Sequence, residues 1–251
     1  MKIDRTGEIG VNNFGSEMVI VGYRSNKDID VHFPEYNWTV ENALYKNFTA
    51  GKIKCPYEPR VHNVGYVGEG QYSVRENNKI TKPYAVWQGM ITRCYDSNWQ
   101  QKKARTYVDC EVCEEWHNYQ VFAEWYEQNY YEIPEQTMAL DKDILVKGNK
   151  IYSPDTCVFV PQNINNLFTK CDSARGDYPI GVRRRNRKYT SSCSINNDRI
   201  HLGTYDDPMD AFQAYKEFKE NYIKTVADQY ADLIPQALYN AMYEYEVENE
   251  D

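Results

Sequence analysis

Leu140-Asp141-Lys142-Asp143-Ile144, then Gly148-Asn149-Lys150-Ile151-Tyr152-Ser153-Pro154-Asp155-Thr156-Cys157, then Asn163-Ile164-Asn165-Asn166, is the stretch on which the reading of this chain turns. A short apolar segment carries charged side chains at its end, and Lys147-Gly148-Asn149-Lys150 is a turn sequence. Pro134 closes the region before it, so residues 138 to 168 read as one small unit.

Upstream the pattern is helical. Tyr84, Trp87, Met90, Ile91 and Cys94 recur at three- and four-residue intervals, and Trp116, Tyr119, Phe122, Ala123, Trp125 and Tyr126 repeat the pattern. Both predict packing helices. Further back, Met18-Val19-Ile20-Val21 and Ile29-Asp30-Val31-His32-Phe33 are strand-like runs separated by the turn Ser25-Asn26-Lys27-Asp28, and Gly65, Gly68 and Gly70 punctuate their end. Downstream, Ile180–Arg184, Lys188–Ile195 and Arg199–Tyr205 predict three strands, and a helix starting near Pro208 carries Phe212, Tyr215, Phe218 and Tyr222 on one stripe. Pro235 precedes a last helix, and Glu244–Asp251 reads as a solvated acidic tail. The expected class is α+β in several modules: a β-rich unit over 1–70, a central module over 71–170, a sheet-and-helix domain over 176–225, and a helix with acidic tail over 226–251.

Composition narrows the function classes. The chain has 251 residues and a formal net charge of -8, so it is not basic throughout, and a local concentration of positive charge carries meaning. Its 23 tyrosines suit cores built from rings that keep their hydroxyls wet. No apolar run approaches the roughly 18–20 residues needed to cross a bilayer. Met1-Lys2-Ile3-Asp4-Arg5 opens no signal peptide, and the 7 cysteines have no regular spacing. No membrane association and a cytoplasmic location are expected.

The segment from about 78 to 168 resembles the ββα-metal nucleases of the HNH family. The resemblance implies a strand bearing a metal ligand followed directly by a general base, a returning hairpin, and a helix with a second ligand. By position, Asp141 matches the metal ligand, Lys142 the base, Thr156 the central Asn that orients the base, and Asn165 the second ligand. Lys147-Gly148-Asn149-Lys150 and Tyr152-Ser153-Pro154 match the hairpin and the start of the helix, and Val112-Cys113-Glu114-Glu115-Trp116 with Phe122 and Trp125 is similar to the segment preceding this motif in bacteriophage members. The implied catalytic set is Asp141, Lys142 and Asn165, and the implied cofactor is Mg²⁺ or Mn²⁺ on Asp141 and Asn165. The chain departs from the family at the base and at the central Asn. Lysine is ordinarily protonated far above neutral pH, so it suits neutralising a phosphate better than deprotonating water. His32, His62, His117 and His201 all lie outside the motif.

Cys110-x-x-Cys113 has zinc-knuckle spacing, but a second pair is missing. Buried thiols beside a packing helix are the preferred reading over Zn²⁺, which would need Cys94 and Cys157 to complete it.

Between Lys170 and His201 the charges are Lys170, Arg175, Arg183, Arg184, Arg185, Arg187, Lys188 and Arg199 against Asp172, Asp177 and Asp198. An acidic chain has gathered its cations here, the electrostatic footprint of nucleic-acid binding. Alternation along strands puts Arg183 with Arg185, and Arg199 with His201, on one face. Gly181-Val182-Arg183-Arg184-Arg185, Lys188-Tyr189, Arg199-Ile200-His201-Leu202-Gly203-Thr204-Tyr205 and Ala211-Phe212-Gln213-Ala214-Tyr215 resemble the APETALA/ethylene-response-factor DNA-binding domain over about 178–225. That resemblance implies a three-stranded antiparallel sheet on one helix, docked in the major groove of double-stranded DNA. Arg183, Arg185 and Arg199 match contacting arginines, Lys188 extends the basic face, His201 stands where a contacting Trp is common, and Ile180 replaces an arginine.

Gly10-Val11-Asn12-Asn13-Phe14-Gly15 and Asn63-Val64-Gly65-Tyr66-Val67-Gly68 resemble a glycine-bounded β module at the start of some phage HNH proteins, whose role is DNA contact or partner docking. Together the modules imply a phage-encoded, homing-type endonuclease or nickase. Two other classes stay open: a DNA-binding regulator on an inactive nuclease fold, and an interaction protein that uses its acidic surface to block a host factor.

Overall fold

The β-branched runs at the N-terminus pair as their alternation requires. The computed structural model describes residues 3–103, 107–169, 178–195 and 198–249. β1 (Ile9–Val11), β2 (Glu17–Ser25), β3 (Asp28–Phe33) and β4 (Trp38–Ala43) form an antiparallel sheet in the order β1-β2-β3-β4. Ile29, Val31 and Phe33 alternate into the core beside Met18 and Ile20, and α1 (Tyr45–Thr49) adds Phe48. On the opposite side Arg24 forks onto Asp28 and Asp30 at 2.7 Å each, which closes the β2–β3 turn.

The hairpin of β5 (Arg75–Glu76) and β6 (Lys79–Ile80) leads into α2 (Lys82–Tyr95), which buries Trp87, Met90, Ile91 and Cys94 as their spacing predicts. α3 (Ser97–Lys103) and β7 (Glu111–Val112) follow. The next helix starts later than expected: Trp116 lies in a 3₁₀ turn, and α4 runs Tyr119–Asn129. Asn118 is extended, and its side chain accepts the Gln120 N–H at 3.0 Å, so it stops the turn from running on into the helix. Trp87 Nε1 donates to the Trp116 carbonyl at 2.7 Å, which locks turn to helix.

The chain divides into two compact units: 1–128 with 150–154, and 129–149 with 155–251. The stretch 71–170, expected as one module, thus contributes to both. In the second unit β8 (Met138–Asp141) leads to a loop; residues 150–154 belong to the first unit, where β9 (Ile151–Tyr152) pairs in parallel with β7. The strand that returns along β8 is β10 (Val158–Pro161), antiparallel with Asp141 opposite Val158, and α5 (Gln162–Phe168) follows. A tight hairpin at Lys147–Lys150 and a helix from Pro154 are therefore not what forms. Val158-Phe159-Val160 is a wholly buried β-branched and aromatic run suited to a strand, and Pro161, with its extended backbone, starts the helix instead.

β11 (Val182–Arg185), β12 (Lys188–Ile195) and β13 (Asp198–Tyr205) form the three-stranded antiparallel sheet in that order. Asp207 caps α6 (Pro208–Gln229) by accepting the Met209 N–H at 2.7 Å, with Pro208 in the first turn. Ala211, Phe212 and Tyr215 close the sheet's inner face. Gly181 is left-handed at φ +78°, and a Cβ there would lie 2.1 Å from the Tyr215 ring, so only glycine lets β11 cross the helix. The far half of α6 gives Ile223, Val226 and Ala227 to a second core with Val158, Val160, Ile164 and, from α7 (Gln236–Tyr243), Leu238 and Met242.

The acidic terminus is docked rather than solvated. Val247 is 3% exposed, its N–H donates to Glu220 at 2.8 Å, and Lys216 donates to its carbonyl at 3.0 Å. Lys147 donates to the Glu246 carbonyl at 2.9 Å and pairs with Glu248 at 3.1 Å. Val247 and Tyr245, the two apolar side chains among the glutamates, anchor it to the cores. The polar joint 171–177, including Arg175, and Lys170 lie outside the described residues. Among the described residues no helix is long and apolar enough to cross a membrane.

Candidate nucleic-acid interface

Register decides which side chains share the outer face of the β11–β13 sheet. Val182, Ser191 and Cys193 are buried against α6, so their neighbours in sequence point away. Arg183 stands opposite Thr190, Arg185 opposite Lys188, Ser194 opposite Arg199 and Ser192 opposite His201. Arg183, Arg185, Lys188, Arg199 and His201, the five residues expected from sequence, thus occupy one face, and all five are exposed.

The electrostatics of that face are unfavourable in isolation. Arg185 and Lys188 sit directly across the ladder, a like-charge pairing that costs rather than contributes stability. Lys188 is offset by Asp206 at 3.1 Å, between two exposed side chains. Arg183 and Arg185 make no side-chain hydrogen bond or ion pair among the described residues. Arg199 differs: its Nε and Nη2 both donate to Ser192 Oγ, at 3.0 and 2.8 Å.

The second cluster lies in the loop after β8. Asp141 Oδ1 accepts the backbone N–H groups of Asp143 and Ile144 at 2.9 and 2.8 Å. Burial, then the neighbouring charge of Asp143, push the Asp141 carboxyl up to about 6, against the pull of those two N–H groups. Lys142 is buried, 6% exposed, and its Nζ donates to Asp143 at 3.1 Å. An ammonium so placed has no lone pair for water and does not project into solvent. Asn149 Nδ2 donates to the Lys142 carbonyl at 2.7 Å and tightens the loop. Asn165 is half-buried on α5, which packs against β8, and makes no side-chain hydrogen bond among the described residues.

The donor types fit a hard cation. Two carboxylates and an amide oxygen are what Mg²⁺ or Mn²⁺ takes, and a cation would relieve the repulsion between Asp141 and Asp143. Among the described residues no three His, Cys, Asp or Glu side chains gather at a metal-sized site, so an ion here would also need backbone carbonyls or water. For zinc the fit is poorer. Cys110 is buried, and burial pushes the half-buried Cys113 thiol up to about 11, which favours the neutral thiol over the thiolate that zinc requires.

Sequence reasoning did not single out Asp143, Asn149 or Ser192. The spacing Asp141-x-Asp143 was visible, but the loop that folds the second carboxylate beside the first was not. Ser192 needs the register of β12 and β13, which no local pattern supplies.

Comparison with protein-family models, with curated proteins and with solved structures finds no match.

Proposed function

We propose that this chain is a DNA-binding protein that engages double-stranded DNA through the outer face of the β11–β13 sheet. The observation that carries this reading is the set Arg183, Arg185, Lys188, Arg199 and His201 on one exposed face of a chain whose net charge is -8. A cross-strand Arg185–Lys188 pair is unfavourable without an anion, and phosphates supply one. A three-stranded sheet can lie in a major groove, where arginine forks meet base edges and phosphates. Resemblance to the APETALA/ethylene-response-factor domain points the same way.

A second reading, metal-dependent nicking of DNA, is favoured by the Asp141–Asp143 carboxylates beside α5 and by resemblance to HNH nucleases. In it, Asp141 and Asn165 hold Mg²⁺ or Mn²⁺, which would stabilise charge on the scissile phosphate. The pairing of buried Lys142 with exposed Asp143 supports binding over cutting, because it leaves the base position without a proton acceptor. In that case the strand-loop-strand-helix unit is an inactive nuclease fold in a regulator or accessory factor. Resemblance also suggests a bacteriophage source and the cytoplasm of its host.

Supercoiled plasmid incubated with the protein in Mg²⁺, Mn²⁺ or EDTA, beside Asp141→Ala, separates the two. Salt-sensitive retardation that survives EDTA and the substitution, with plasmid intact, is the expected result. Metal-dependent nicking lost in the variant would establish the nuclease, and no retardation at low salt would end both readings.

A further inference from the structure

Two kinds of arginine share the sheet's outer face. Arg183 and Arg185 are unrestrained among the described residues, whereas Arg199 is held by two hydrogen bonds to one oxygen. A guanidinium has five N–H donors in a rigid plane. Ser192 Oγ takes the Nε edge and one N–H of Nη2, so the end of the fork, Nη1 with the second N–H of Nη2, is left to point onward. The register between β12 and β13 shifts between Ser191 and Ser192, beside Gly203 at φ +144°, and is regular from Ser192 onward. In that regular stretch Ser192 stands opposite His201 and Ser194 opposite Arg199, so Ser192 is the diagonal neighbour of Arg199 on the same face.

We infer that Ser192 is a positioning residue that presents Arg199 end-on, making Arg199 the specificity-determining residue of the sheet, while Arg183 and Arg185 act as sequence-blind phosphate contacts. The inference rests on the sheet's outer face being the DNA-binding surface. An end-on fork matches the paired O6 and N7 acceptors of guanine in the major groove, and a fork fixed before binding loses less side-chain entropy on contact. An unheld arginine follows whichever phosphate is near.

The test uses the full chain and a random 30-base-pair duplex library. Duplexes selected by the wild type are compared with versions in which each guanine is replaced in turn. Ser192→Ala is expected to lower discrimination at one guanine by about tenfold, a typical share of one bidentate contact, with the slope of affinity against salt unchanged. Ser192→Thr, which keeps the hydroxyl, restores discrimination. Arg185→Ala does the reverse: the salt slope falls by about one and discrimination stays. Thermal melts of both variants report that the sheet is intact. Discrimination unchanged in Ser192→Ala, or a wild type that binds duplexes with no preferred sequence, overturns the inference while leaving DNA binding standing. No duplex binding by the wild type at low salt removes the reading beneath it.

Discussion

Asp141 sets a cost in stability against the role proposed for it. Its carboxyl titrates near 6 in the fold, against an ordinary 3.8, so the folded state holds the proton more tightly than the unfolded chain does. Stability from this group is therefore full below about pH 4 and is lost as pH rises through 6. Asp141→Asn keeps an oxygen for the Asp143 and Ile144 N–H groups and removes the charge. It should stabilise the protein by about 1–2 kcal/mol at pH 7, an amount reduced by the carboxyl's partial exposure, and the gain should vanish at pH 4. Urea midpoints at the two pH values measure this, and a variant weaker at both would show that the carboxylate is held rather than strained. A stabilising change that also abolished nicking would mark Asp141 as kept for chemistry. Gly181 tests the opposite case, a residue kept for packing. Gly181→Ala combines a left-handed backbone with a clash against the Tyr215 ring and should cost about 3 kcal/mol in denaturant. A loss under 1 kcal/mol would mean that the β11–α6 crossing gives way easily.

Among the elements, the β11–β13 sheet separates binding from folding most cleanly. Arg185→Gln removes one member of a repelling pair, so thermal stability should stay level or rise by a few tenths of a kcal/mol. Duplex affinity should fall, with the salt slope reduced by about 0.9. A destabilised variant with unchanged affinity would make the face structural. This sheet was also the most legible part of the chain. Val182, Ser191 and Cys193 alternate with the basic positions, and the Asn186–Arg187 turn fixes the β11–β12 register, so local pattern carried the strands and their basic face, though not the Ser192–Arg199 contact. The region around Asp141 was only partly legible. Asp141 ends a strand and Asn165 lies on a helix, but that helix starts at Gln162 rather than near Pro154, β10 takes its place by pairing with β8 across a long loop, and Ile151–Tyr152 is drawn away to β7. Such non-local pairing leaves no periodic mark. The burial of Lys142 was not legible for the same reason: nothing in a lysine flanked by two aspartates marks it as buried until the loop folds over it.

Within the second unit, α6 joins what the sequence separates. A boundary near 225 would cut a helix that runs unbroken from Pro208 to Gln229, about 33 Å long. Its first turns close the sheet through Ala211, Phe212 and Tyr215, and its last turns enter the β8–β10–α5 core through Ile223, Val226 and Ala227. The docked terminus binds the same helix at Lys216 and Glu220, midway between the two cores. A helix shared in this way transmits the loss of one core to the other, because fraying from either end removes packing from both. Phe212→Ala should cost about 3–4 kcal/mol at the sheet, and amide hydrogen exchange locates where that loss is felt. If the unit is cooperative, the amides of Val158 and Val160 in β10 lose protection by as much as those of Ser191 and Cys193 in β12. Protection lost from β12 alone would mean that α6 merely tethers two independent domains. The distinction bears on the proposed function, since a rigid α6 would hold the carboxylate loop at a fixed offset from a duplex bound to the sheet as proposed, and a tether would leave that offset to chance.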